Sequence, residues 1–175
     1  MSADEIQERI AELARQIGRE YPDGVHAVAV LKGAFVFLAD LVRQIDVPVS
    51  LDFLGVSSYG AGDTSSGEVR LLKDLDMAIE GRDVLLVEDI VDTGLTLTYL
   101  QDVLRTRAPR RLRTVALLDK PSRRRVPVPI DYVGFTIENR FVVGYGMDYD
   151  ERYRQLPYIG TIDHPDRDRG PGELV

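Results

Sequence analysis

Along the first twenty residues the apolar positions recur at helical spacing, with Ile6, Ile10, Leu13, Ala14 and Ile17 on one face. Ser2-Ala3-Asp4-Glu5, just ahead of them, has the spacing of a capping box. The pattern predicts an amphipathic helix that Gly18 and Pro22 help to end. His26 to Leu31 reads as a short strand, Phe35 to Ile45 as a helix packed on a sheet, and Val49 to Val56 as a strand, with Val69 to Leu72 returning beside it as a hairpin arm. Val84 to Val87 is a continuous apolar run, the composition of a central parallel strand covered on both faces. Leu97, Leu100, Val103 and Leu104 give residues 95–104 a helical period. Leu112 to Leu118 is another apolar strand, and Asp131 to Thr136 and Phe141 to Tyr145 are two more. Strands that alternate with helices predict an α/β fold: a mainly parallel twisted sheet flanked by helices.

At 175 residues the chain is expected to form one domain, residues 1–162, followed by a polar, Pro/Gly-rich tail at 163–175 that frays. There is no cysteine, which excludes disulfides and thiolate metal sites and fits a reducing compartment. With no long apolar run and no basic, apolar leader, the expectation is a cytoplasmic protein with no membrane contact. The net charge of −7 disfavours a nucleic acid partner. It also requires any polyanionic ligand to be met locally, by helix N-termini, particular cations or a metal ion.

Candidate chemistry concentrates in VLLVEDIVDTGLTLT, residues 84–98. Asp92-Thr93-Gly94 falls in the turn between strand and helix, where the first backbone N–H groups lack internal partners and sit at the positive end of the helix dipole. Gly94 permits close backbone approach, and Thr93 and Thr96 add hydroxyl donors, so phosphate suits the turn. Glu88 and Asp89 stand at the carboxyl end of the strand, where open α/β sheets bind ligands, and carboxylates there can accept from sugar hydroxyls or hold a magnesium shell. An acidic pair alone is equally well a solvated loop with a helix cap. Lys32-Gly33 is a second strand-to-helix turn able to meet an anion, or simply a helix start with an exposed lysine. Residues 57–68, SSYGAGDTSSGE, read as a flexible hairpin loop. Lys120 directly follows a strand end and can point into the same crevice as Asp89 and Asp92, whereas the basic stretch PSRRRVPVP after it has the composition of a solvated surface. Neither the glycine-rich dinucleotide pattern nor the Walker pattern occurs.

The joined acidic pair and D-T-G-L-T turn resembles the phosphoribosyl-pyrophosphate signature of the type I phosphoribosyltransferases. Leu31-Lys32-Gly33-Ala34 resembles the pyrophosphate loop of the 6-oxopurine branch, the hypoxanthine-guanine phosphoribosyltransferases, whose members often hold the bond before this lysine in the cis form. FVVGYGMDYDERYRQLPYIG is similar to the base-binding end of that branch, so the resemblance spans about residues 28–160. It implies a small hood built from chain ends, and a flexible hairpin lid carrying Ser58 and Tyr59. It further implies 5-phosphoribosyl 1-diphosphate and a 6-oxopurine base as substrates, with Mg2+ as cofactor.

Carried over residue by residue, the resemblance places ribose and phosphate contacts on Glu88, Asp89, Asp92, Thr93, Gly94, Leu95 and Thr96. Lys32, Gly33 and Arg154 would take pyrophosphate, and Lys120, Phe141, Val142 and Asp148 would take the purine. Glu88, Asp89 and Asp148 would serve the metal, and Asp92 the proton chemistry. Without the resemblance, Phe141 and Tyr145 read as core aromatics and Asp148 as a turn acid. Leu95 stands where some relatives carry lysine. A homodimer or homotetramer is implied. Two rivals share parts of the pattern: a phosphorelay receiver, whose first strand resembles VLLVED but lies near the domain start, and an RNA-binding regulator on the phosphoribosyltransferase fold, against which Asp92 and the acidic charge both count.

Overall fold

The structure, a computed structural model, describes residues 1–58 and 69–162. Helix α1, Ala3–Glu20, opens with the reciprocal capping box of Ser2 and Glu5 and buries Ile6, Ile10, Leu13, Ala14 and Ile17, as the spacing predicts. Gly18 does not end it. It lies inside the helix with open space around its Cα, and the chain turns only at Tyr21 and Pro22, before β1, Val25–Leu31. Helix α2, Phe35–Gln44, leads to β2, Val49–Ser58, and β3, Val69–Lys73, returns antiparallel beside β2 across a bulge at Gly55/Val56.

The apolar run at 84–87 is the middle of a longer strand, β4, Asp83–Val91, because pairing with β5, Arg111–Asp119, continues through Glu88 to Val91. Helix α3, Leu95–Arg105, joins these two strands. Its inner face holds Gln101 in place of the expected Val103, since the Gln101 amide reaches the Thr114 hydroxyl and the Pro129 carbonyl, each at 2.9 Å. Strand β6, Tyr132–Thr136, completes a six-stranded sheet of order β3-β2-β1-β4-β5-β6, parallel except for β3.

Strand residues alternate between two cores. Ala27, Ala29, Leu85, Val87, Val115 and Leu117 face α1 and α2, while Val28, Val30, Val84, Leu86 and Ala116 face α3. From β1 the chain moves outward to β2 and β3, then returns to β4 on the other side and continues outward to β5 and β6. The order therefore reverses between β1 and β4, and a crevice opens beyond their carboxyl ends, where such sheets take ligands.

A hood covers one side of the crevice. It is a two-stranded sheet of β7, Phe141–Val143, and β8, Gly160–Ile162. The strand expected to run to Tyr145 stops at Val143 because Gly144, Tyr145 and Gly146 all have positive φ. Met1 donates to and accepts from the backbone of Ile159, so both ends of the described chain do build the hood. Tyr59, the rest of the predicted lid and the 163–175 tail lie outside the described residues, while Ser58 closes β2 opposite Val69.

Candidate functional site

Three helices begin in different ways. α1 is capped by Ser2, whereas α2 and α3 open at the ends of β1 and β4 with no side-chain cap, on Ala34 and on Gly94. Neither start is closed by a capping side chain, and Phe35 N makes only a long 3.3 Å bond to the Lys32 carbonyl, so both turns keep the character of an anion site. Gly94 adopts φ +85, and a Cβ there would lie 2.8 Å from the Val126 carbonyl oxygen, so only glycine fits the turn. Leu95 N reaches Thr93 Oγ1 at a long 3.4 Å. A cavity of about 200 Å³ is lined by Glu88, Asp89, Asp92, Thr93, Gly94 and Thr96, so all but Leu95 of the residues assigned to ribose and phosphate meet in one place.

A second cavity, of about 320 Å³, shares Asp89, Ile90 and Asp92 with the first and adds Lys32, Gly33, Lys120, Phe141, Val142, Met147, Asp148 and Arg154. Every residue assigned to pyrophosphate or purine lies on it. Lys120 is almost wholly buried, and burial pushes its amine below the ordinary lysine range, with Asp92 opposing. Phe141 is half-exposed, its ring perpendicular to that of Tyr149 with 5.5 Å between centroids. An aromatic left open over a polar crevice has the geometry of a stacking platform.

Glu88 is buried and Asp89 lies beside it. Burial raises both carboxyls above their usual range, Asp89 to about 6, and their mutual repulsion adds to the rise of Glu88. Asp148 raises Asp89 further, while Arg154 and backbone N–H groups draw it down. A cation between these acids would relieve that cost. Among the described residues, no cluster of three or more His, Cys, Asp or Glu side chains forms a protein cage for a metal.

Close packing fixes the walls. A Cβ on Gly33 would fall 1.7 Å from Asp89 Oδ2, and one on Gly146 would fall 2.1 Å from the Gly33 carbonyl oxygen. The hood turn therefore packs backbone on backbone against the Lys32-Gly33 loop, and that loop packs in turn against the Asp89 carboxylate of β4, with no room for a side chain at either glycine. The Leu31–Lys32 peptide bond is cis.

Two features escaped the sequence. The basic stretch after Lys120 is not simply solvated surface: Arg125 N and Val126 N donate to the Thr93 carbonyl at 2.9 and 3.3 Å, and Arg124 Nη1 donates to the Asp92 carbonyl at 2.9 Å. Arg124 also pairs with Asp119, and Arg123 Nε lies 3.2 Å from Asp92 Oδ1. Its position next to Lys120 was the available signal. The second is Glu151, whose carboxylate takes Lys32 Nζ at 3.0 Å on each oxygen.

The family model for the phosphoribosyl transferase domain matches residues 2–150. A hypoxanthine-guanine phosphoribosyltransferase of Mycobacterium avium is 56% identical over 170 residues, covering 93% of this chain and 84% of that protein. The protein of the same name from Bacillus subtilis is 51% identical over 163 residues, covering 93% and 91%. A crystal structure of a hypoxanthine-guanine phosphoribosyltransferase from Bacillus anthracis superposes with a TM-score of 0.88 at 47% identity, covering 93% of this chain and 96% of that one. A receiver domain is thereby set aside, and the chain belongs to the phosphoribosyltransferase family.

Proposed function

We propose that the protein is a purine-salvage enzyme that transfers the phosphoribosyl group of 5-phosphoribosyl 1-diphosphate to hypoxanthine, and also to guanine, giving IMP or GMP and pyrophosphate. The observation that carries this reading is the second cavity. It brings together a buried amine, Lys120, a half-exposed aromatic, Phe141, the Asp92 carboxyl group and two cations, Lys32 and Arg154.

In the reaction the ribose C1–oxygen bond to pyrophosphate breaks as a bond from purine N9 forms, so the site must hold an anionic leaving group and a cationic ribose carbon together. The uncapped turn at residues 92–96 grips the 5-phosphate. Glu88 and Asp89 orient the ribose hydroxyls. Lys32, the Gly33 loop and Arg154 receive pyrophosphate. Phe141 stacks on the base, the backbone at Val142 reads its edge, Lys120 donates to its 6-oxygen, and Asp92 takes the proton from N7. Glu88, Asp89 and Asp148 would hold Mg2+. Hard carboxylate oxygens without a complete protein cage suit an ion that completes its shell with waters and substrate phosphates, and when bound it supplies charge neutralisation to the diphosphate. Ser58 and Tyr59 belong to a lid that excludes water during the reaction. The enzyme works as a homodimer or homotetramer in the cytoplasm.

A panel of bases with 5-phosphoribosyl 1-diphosphate and Mg2+, scored by pyrophosphate release, tests the assignment. Hypoxanthine is expected first or second and adenine and uracil near background, because an ammonium donor suits a 6-oxo group and not a 6-amino group. Adenine turnover equal to that of hypoxanthine would overturn it.

A further inference from the structure

The two cations assigned to pyrophosphate are not waiting free. Lys32 Nζ lies 3.0 Å from both carboxylate oxygens of Glu151, and Arg154 Nη2 lies 3.5 Å from Glu151 Oε2 and 2.8 Å from Asp148 Oδ1. Lys32 and Arg154 come from opposite ends of the chain, and Glu151 is the side chain that bridges them. Its backbone N donates to Asp148 Oδ2 at 2.9 Å, so the acid belonging to the metal set also positions the turn that carries Glu151. That turn is costly for its sequence: Asp150, Glu151 and Tyr153 all have left-handed backbone, at φ 51, 60 and 75, although none is glycine. The Glu151 carboxylate thus faces two cations at once, Lys32 and Arg154.

Resting on the assignment of Lys32 and Arg154 to the leaving group, we infer that Glu151 is a resident stand-in for pyrophosphate, occupying its cations in the free enzyme and competing with it for them. A carboxylate presents two oxygens to Lys32 as one phosphoryl group of pyrophosphate would. The Lys32–Glu151 pair is exposed on both sides, and exposed pairs are weak, so the substrate displaces Glu151 at little cost. The pair re-forms as the product leaves. Lys32 and Arg154 are thus never left unpaired, and pyrophosphate is bound less tightly than its charge would otherwise dictate. Glu151 touches no reacting atom; it is a positioning residue that sets leaving-group affinity.

The experiment is calorimetric titration of the full chain with pyrophosphate and Mg2+ at low ionic strength, for the parent, Glu151→Gln, Lys32→Met and the double variant. Glu151→Gln is expected to tighten pyrophosphate by about two- to fivefold, the range that an exposed ion pair corresponds to, and to strengthen product inhibition by the same factor. Lys32→Met is expected to weaken pyrophosphate, and in that background Glu151→Gln should give a smaller gain, through Arg154 alone. A gain that persists undiminished without Lys32 would reduce Glu151 to one more negative charge near an anion site and overturn the inference. Unchanged or weaker binding by Glu151→Gln, with Lys32→Met still harmful, would sink this role alone. If Lys32→Met itself leaves pyrophosphate binding unaltered, the assignment of Lys32 fails, and this inference with it.

Discussion

The two strand-to-helix turns at the switch point start from the same plan and are completed in opposite ways. Both follow a central parallel strand, both open a helix without a side-chain cap, and both face the crevice. The turn after β4 is braced from behind by the 120–126 segment, with backbone donors on Thr93, a guanidinium on the Asp92 carbonyl and the Val126 carbonyl against Gly94. The turn after β1 is squeezed between Asp89 and the hood at its backbone, but among the described residues its charged side chain is held only by the exchangeable pair with Glu151. The difference fits the chemistry proposed for the two turns. A phosphate that stays through the reaction is best met by donors fixed in advance, while the site for a leaving group must also let it go.

The two turns part most clearly at Asp92, whose backbone belongs to the braced turn and whose carboxylate is assigned the proton. Asp92→Asn keeps size and turn geometry and removes the base. Turnover of hypoxanthine should fall on the order of 10²- to 10⁴-fold, as for general acid–base groups. The affinity for 5-phosphoribosyl 1-diphosphate, measured by calorimetry, should change little, because the brace from residues 124–126 does not depend on that side chain. Near-normal turnover with lost substrate binding would make Asp92 part of the ribose site instead.

Gly33→Ala attacks the other turn at its backbone. The added Cβ would lie 1.7 Å from Asp89 Oδ2 and 2.5 Å from its Cγ, so the loop and the acid must move apart. A displacement of about 1 Å in such a site costs on the order of 10²-fold in rate. The loss should appear in kcat/KM for 5-phosphoribosyl 1-diphosphate. Activity within twofold of the parent would show that this turn tolerates movement the packing forbids.

How far this was legible in the sequence depends on distance along the chain. The α1 capping box, its isoleucine face and the Asp92-Thr93-Gly94 turn are local patterns, and each fell where the spacing put it. The full reach of β4 to Val91 was hidden because Glu88 and Asp89 interrupt the apolar run, although the ladder to β5 carries on beneath them. Gly18 misled because glycine in a helix is unfavourable on its own, yet a buried apolar face outweighs one such residue. The Lys32–Glu151 pair and the brace by Arg124 join residues that only the topology brings together, and a charged residue in a polar loop carries no mark of its partner.

The smallest expected effect concerns β4 itself, whose two acids lie between the turns. Glu88 and Asp89 carry carboxyls raised by burial, so within the window between their ordinary values, 4.5 and 3.8, and their raised ones, about 6 for Asp89, the folded chain binds more protons than the unfolded chain. Stability from this pair is therefore complete below about pH 4 and is lost as pH rises through the raised values. Asp52, Asp74 and Asp83 work in the opposite sense, since their carboxyls are depressed and their contribution disappears only as pH falls below the ordinary carboxylate range. His26, depressed mainly by burial, adds stability as pH rises toward 6.5 and partly masks the slope. Comparing Glu88→Gln with the parent cancels both of these backgrounds. The variant should melt higher than the parent at pH 8, by roughly 2–4 °C for each kcal/mol of strain relieved in a chain of this length, and the gain should shrink as pH falls toward 4.5. A melting difference that stays constant from pH 4.5 to 8 would mean that Glu88 and Asp89 are not strained by their own charge, and that the free site has no need of a cation.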